Sequence, residues 1–145
     1  MQANTPIARI MTRKPETVKP TDSMEAVRGI FEKRGFHHIP VVEGDRLVGL
    51  VSYTDYLQLV RTVFDNNQET RVNEQVLNAT LVKDVMTQNL LCLSPTDSTE
   101  TALRVFKANQ FHSLPVVDDK GHLVGIVTTY DLMRVLEHVF LEKAV

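Results

Sequence analysis

Apolar positions along the chain switch between two periods, and they do so twice in the same order. An extended stretch, Glu16-Thr17-Val18, gives way at Pro20, which cannot continue a strand ladder. Met24, Val27, Ile30 and Phe31 then recur at helical spacing. Asp22 followed three residues later by Glu25 has the spacing of a capping box, so a helix is predicted to start there. Two β-branched runs follow, Ile39 to Val42 and Leu47 to Val51, and Glu43-Gly44-Asp45-Arg46 between them predicts a hairpin. A second helix is expected from near Thr54, turning Leu57, Val60, Val63 and Phe64 to the core.

The later part of the chain repeats this order. Leu91-Cys92-Leu93 is the extended stretch, and Asp97 with Glu100 is the capping pair. Ala102, Val105 and Phe106 form the helical face, and a last helix near Tyr130 carries Leu132, Val135, Leu136 and Val139. The identity of residues is repeated as well as the pattern. Residues 9–42 align with 84–117 at an offset of 75 with 13 identities in 34 positions. One extra residue in Asp118-Asp119-Lys120-Gly121-His122 moves the offset to 76 for Leu47-Val48-Gly49 and Asp55 against Leu123-Val124-Gly125 and Asp131. Duplication explains this, and it predicts a mixed α/β fold of two β-α-β-β-α repeats, one packed against the other. The expected boundaries are 7–64 and 82–143. Residues 65–81 are the linker, polar at first and then able to form a short helix from Val76 to Val85.

Composition narrows the functions available. Each repeat of about 60 residues is marginal alone, so one module with a shared core is favoured. A net charge of −2 with no basic tail gives no support to nucleic-acid or membrane-surface binding. No apolar run approaches the ~20 residues of a membrane span, and the N-terminus lacks a signal peptide's apolar core. Cys92 is the only cysteine, so an intrachain disulfide is excluded and a cytoplasmic location is expected.

Two shared segments could carry chemistry. Ser52-x-x-Asp55 and Thr128-x-x-Asp131 each place a hydroxyl at a strand end and a carboxylate where a helix begins. Helix capping alone would account for both pairs. The same turn could also bind a ligand: free N–H groups and the helix dipole favour an anion, and a carboxylate can accept two hydrogen bonds from a vicinal diol. Diol plus anion describes a ribose phosphate. The second segment is Phe36-His37-His38-Ile39-Pro40 and its copy Phe111-His112-Ser113-Leu114-Pro115. Its histidines could meet phosphate or stand as surface residues at a strand entrance. His122 and His138 lack metal-ligand spacing, and no phosphate loop, dinucleotide fingerprint, metalloprotease motif or nucleophile elbow occurs. Catalysis and a metal site are therefore not expected.

Met-Thr, Pro-x-Asp-Ser, His-x-x-Pro-Val-Val and Leu-Val-Gly-x-Val-Ser/Thr-x-x-Asp, in order and in duplicate, resemble a tandem pair of CBS domains, a Bateman module. The resemblance implies that the two repeats pack with pseudo-two-fold symmetry and form two clefts between them that bind adenosine-containing ligands such as AMP, ADP or ATP. Asp55 and Asp131 would hold ribose, with Ser52 and Thr128 beside them and Thr54 and Tyr130 as further contacts. Leu50 and Ile126 would flank the nucleoside. His37, His38, Ile39, Pro40, His112, Ser113, Leu114 and Pro115 would lie near adenine or phosphate, and Thr17 and Cys92 would line the adenine pocket. Arginine often follows the motif histidine in relatives that bind di- and triphosphates, whereas His38 and Ser113 stand there in this chain. The resemblance further implies a stand-alone, non-enzymatic regulatory module that requires no cofactor and signals by conformational change. A homodimer is expected, with Val135, Val139 and Phe140 as contacts and an unidentified protein partner. The alternative is a dimerisation or interaction module that works without nucleotide.

Overall fold

The computed structural model describes residues 4–34, 37–64, 70–109 and 111–143; the side chains of residues 34, 62–64, 70–73 and 143 lie outside that description. A 3-10 turn over Ile7–Arg9 leads into β1 (Thr12–Arg13), α1 (Met24–Arg34), β2 (His38–Glu43), β3 (Arg46–Ser52) and α2 (Tyr53–Phe64). Then come α3 (Thr70–Ala79), a 3-10 turn over Val82–Asp84, α4 (Thr99–Asn109), β4 (Ser113–Val117), β5 (Leu123–Thr128) and α5 (Thr129–Lys143). The predicted first strands are each reduced to one parallel bridge, Val18 to Val41 and Leu93 to Val116. Val18 donates to Pro40 and accepts from Val42, and Leu93 does the same with Pro115 and Val117. The order β-α-β-β-α is thus present in both copies.

The compact units differ from the sequence repeats at their edges. One unit comprises residues 16–90, and the other comprises 1–15 together with 91–145. The lead-in to the first copy is therefore built into the unit of the second. Ile7 donates to the Asp97 carbonyl at 2.8 Å, and β1 pairs with β5 through Thr12–Ile126 and Arg13–Gly125. In the other unit Thr87 exchanges two backbone bonds with Leu50, and Val82 donates to Asp22.

Each unit has its own core. In the first-copy unit Val18, Met24, Val27, Phe31, Ile39, Val41 and Val51 pack with Leu77 and Val82. Helix α3, in the segment between the copies, thus supplies a core residue. In the second-copy unit Ile7 joins Leu93, Ala102, Phe106, Leu114, Val116, Val127 and Leu132.

The glycine of each Leu-Val-Gly motif is explained by the same docking. A Cβ on Gly49 would stand 2.5 Å from Met86 Sδ, and one on Gly125 would stand 2.6 Å from Met11 Sδ. The methionine of Met-Thr and the glycine of Leu-Val-Gly are two halves of one contact.

Three expectations are corrected. The caps of α1 and α4 are Ser23 and Ser98, whose Oγ atoms accept from Ala26 and Thr101. Asp22 and Asp97 instead fold back over the preceding proline and accept from the N–H of Lys19 and Ser94, both at 2.8 Å. Glu25 and Glu100 do not complete capping boxes; they pair forward with Arg28 and Arg104. The inward face of α2 is formed by Tyr56 and Leu59, while Leu57 is exposed, as is Leu136 on α5. Both helices begin at a capped turn that fixes their rotation, and apolar residues on more than one face left the period ambiguous. Phe36 and the side chains of Val63 and Phe64 lie outside the described residues.

Candidate functional site

The strand-to-helix turns of the two copies are built alike. Ser52 N–H donates to Asp55 Oδ2 at 2.9 Å, and Asp55 N–H donates to Ser52 Oγ at 3.0 Å. In the second copy Thr128 N–H donates to Asp131 Oδ2 at 2.9 Å, and Asp131 N–H donates to Thr128 Oγ1 at 3.2 Å. The Thr128 hydroxyl also donates to Asp131 Oδ2 at 3.1 Å. The capping boxes are therefore real. They use one carboxylate oxygen only, because every one of these bonds to the carboxylates ends on Oδ2. Oδ1 remains as an acceptor in each copy.

The His-x-x-Pro segment is tied to this turn. Tyr53 N–H donates to the His37 carbonyl at 2.8 Å, and Thr129 N–H to the His112 carbonyl at 3.0 Å. Strand register then sorts the remaining residues by face. His38 lies opposite Ser52 and Pro40 opposite Leu50; Ser113 lies opposite Thr128 and Pro115 opposite Ile126. These eight residues share the face away from the helix-packed core residues, since side chains alternate along a strand. Thr17 and Cys92, next to the core residues Val18 and Leu93, alternate onto the same face, and both are half-buried. Ile39 and Leu114 have the opposite parity and are core residues. Their side chains are committed to packing. His37 and His112 are exposed at the strand entrances, as are Thr54 and Tyr130 in the first turns of α2 and α5.

The two copies differ in detail. Asp131 is 5% exposed, whereas Asp55 is half-buried. Ser113, also 5% exposed, has a buried Oγ without a hydrogen-bond partner. Leaving a buried hydroxyl unpaired costs about 1–3 kcal/mol. In the first copy Tyr53 sits edge-on to both His37 and Phe31, with ring centroids 6.0 and 5.4 Å apart. Thr129 replaces that ring in the second copy. Tyr53 was not among the sequence candidates, although it lies inside the repeated motif. Burial pushes the Cys92 thiol above its ordinary value, so it is a poor nucleophile at neutral pH. Among the described residues no group of three His, Cys, Asp or Glu could hold a metal ion, and no helix is long and apolar enough to cross a membrane.

Duplicated sheets, capped turns and paired histidine segments define a tandem α/β repeat protein, and comparison with known proteins identifies its family. Residues 7–62 and 82–138 each match the CBS domain, so the chain belongs to the CBS-domain family as a tandem pair, a Bateman module. This domain family is regulatory, not catalytic. The chain is 31% identical over 119 residues to inosine-5'-monophosphate dehydrogenase of Methanocaldococcus jannaschii, covering 81% of this chain and 21% of that protein. The chain thus spans about a fifth of the length of that relative. Among solved structures it resembles CBSX2 in complex with AMP, a protein of Arabidopsis thaliana. That match has a TM-score of 0.77 at 26% identity, covering 92% of this chain and 97% of the other. The CBS domain pair of protein MJ0100, in complex with 5'-methylthioadenosine and S-adenosyl-L-methionine, shares the fold. Its TM-score is 0.75 at 22% identity, with 92% of this chain and 97% of that one covered.

Proposed function

We propose that the chain is a regulatory module that binds adenosine nucleotides of the AMP, ADP or ATP type at its strand-to-helix turns and reports binding by a change of conformation. The observation that carries this reading is the half-used carboxylate. Asp55 and Asp131 spend Oδ2 on the cap and hold Oδ1 in a fixed orientation, which suits a ribose hydroxyl. The unpaired Ser113 hydroxyl, opposite Thr128 on the same face, would gain a partner from a bound ligand. The AMP complex of CBSX2 supports the choice of nucleoside. A ligand can act as a signal only if it binds two arrangements unequally.

The module would act as a homodimer or on a protein partner. Helix α5 supports this, because Tyr130, Met133, Leu136, Phe140 and Leu141 are all more than half exposed along it. Val135 and Val139 are half-buried, so of the three expected contacts Phe140 is the exposed one. The complete capping boxes favour a second reading, an interaction module that works without nucleotide.

Thermal unfolding against AMP, ADP, ATP and S-adenosylmethionine separates the two readings. A specific ligand at 100 times its dissociation constant should add about 2.7 kcal/mol, several degrees of Tm, and Asp55→Ala or Asp131→Ala should abolish the shift. No shift at millimolar ligand would leave the aspartates as caps alone.

A further inference from the structure

The two units dock their lead-ins alike up to one residue and then part. Met24 N–H donates to the Thr80 carbonyl and Val82 N–H to the Asp22 carbonyl. At the equivalent positions Thr99 N–H donates to the Thr5 carbonyl and Ile7 N–H to the Asp97 carbonyl. In the first-copy unit Thr80 follows α3, which packs on both α1 and α2 and adds Leu77 to the core. In the second-copy unit no helix takes the equivalent place, before Thr5, among the described residues. Helices α4 and α5 thus repeat the pair on which α3 sits.

Exposure records the difference. The Glu25 side chain on α1 is 24% exposed and its equivalent on α4, Glu100, is 49% exposed, although each pairs with an arginine of its own helix. Arg28 is half-buried, whereas its equivalent Leu103 is exposed; Val60 on α2 is half-buried, whereas its equivalent on α5, Leu136, is exposed. Leu57 and Met133 are exposed in both units and lie outside this surface. The chemistry runs against the exposure. The sheltered position 28 holds an arginine paired with Glu25 and Glu32, but the open position 103 holds a leucine. Leu103 and Leu136 each follow a buried residue, Thr99 and Leu132, by four positions, so each edges the inward stripe of its helix. The core of the unit does not use them, and exposed apolar residues grouped in this way mark an interaction surface.

We infer that the α4–α5 pair is a docking seat for an amphipathic helix of a partner protein, at Leu103 and Leu136. Helix α3 shows the kind of helix that fits. Its Leu77 is buried and its Val76 half-buried, while Glu74, Gln75, Asn78 and Ala79 are exposed, a narrow apolar stripe with a polar outer face. A second copy of the chain cannot lend its α3, because Leu77 is already buried in its own unit. The inference names a surface for the protein partner of the reading above and is independent of nucleotide binding.

Fluorescence anisotropy of a labelled peptide with the sequence of residues 69–81, titrated with the full chain, tests it. The peptide should bind, and Leu103→Glu or Leu136→Lys should weaken binding about tenfold or more, as loss of a central apolar anchor does. Met133→Lys should leave binding unchanged, and a peptide carrying Leu77→Asp should not bind. A graft removes the entropic cost of association: residues 69–79 replace residues 1–4 directly ahead of Thr5, in the register that leads α3 into Thr80. The graft should slow hydrogen exchange in α4 and α5, and Leu103→Glu should restore the faster exchange. Protection by the graft without measurable peptide binding supports a seat of low affinity. Peptide binding that ignores Leu103 and Leu136, or a graft that protects neither helix, overturns the inference. A wild-type dimer that Leu103→Glu converts to monomer also overturns it, because a second copy then covers the seat. None of these outcomes touches the nucleotide-dependent Tm shift, so the two readings fail separately.

Discussion

A methyl group is the smallest probe of how the repeats are built. At Gly49 the three atoms nearest to an added Cβ all belong to the flexible Met86 side chain. Gly49→Ala should therefore sit at the low end of the ~1–3 kcal/mol that overpacking costs, and Met86→Ala in the same chain should relieve the clash. Gly125 differs, because the Thr12 carbonyl oxygen would lie 2.9 Å from its Cβ in addition to Met11 Sδ. A backbone atom cannot swing away without loosening β1 from β5. Gly125→Ala should cost more, and Met11→Ala should not rescue it. Urea unfolding of the four single variants and two double variants reads this out; equal rescue at both glycines would contradict the pairing. The sequence showed Met-Thr and Leu-Val-Gly only as separate motifs, because a contact between segments about 40 to 110 residues apart leaves no local signal.

Elements were legible to the extent that local rules determine them. Hairpins and the helices of the repeats appear where alternation and helical spacing predict them, since β-branched runs and capped apolar stripes act over a few residues; the helix expected from Val76 to Val85 instead runs over Thr70–Ala79. The rotation of α2 and α5 was not legible. Leu57 and Leu136 fit a helical stripe as well as Tyr56 and Leu59 do, and only the Ser52–Asp55 and Thr128–Asp131 boxes decide which stripe turns inward. The candidate residues were found by their repetition, but the register splits them, with Ile39 and Leu114 in the cores and His38, Pro40, Ser113 and Pro115 on the opposite face. A consequence at this scale concerns α5. Its outer residues Met133 and Phe140 are 57% and 67% exposed, so Met133→Lys with Phe140→Glu should leave the unit's core intact. If α5 is a homodimer contact, light scattering should show the double variant shifted to half the wild-type mass with an unchanged circular dichroism spectrum. An unchanged mass would remove α5 from the interface.

At the scale of the whole chain, sequence repeat and structural unit are different partitions. Ile7 opens the first copy yet is fully buried in the second copy's core, and Val82 opens the second copy yet is fully buried in the first copy's. Truncating either side chain leaves a cavity, and Ile→Ala costs about 2–5 kcal/mol in a packed core. The location of the loss is the informative part. Ile7→Ala should lower hydrogen-exchange protection in β4, β5 and α4, about 90 to 120 residues away in sequence, more than in α1 directly downstream. Val82→Ala should act on β2, β3 and α1 in preference to α4. If each variant instead weakens the copy that follows it, the lead-ins stabilise their own repeats and the compact units are wrongly drawn.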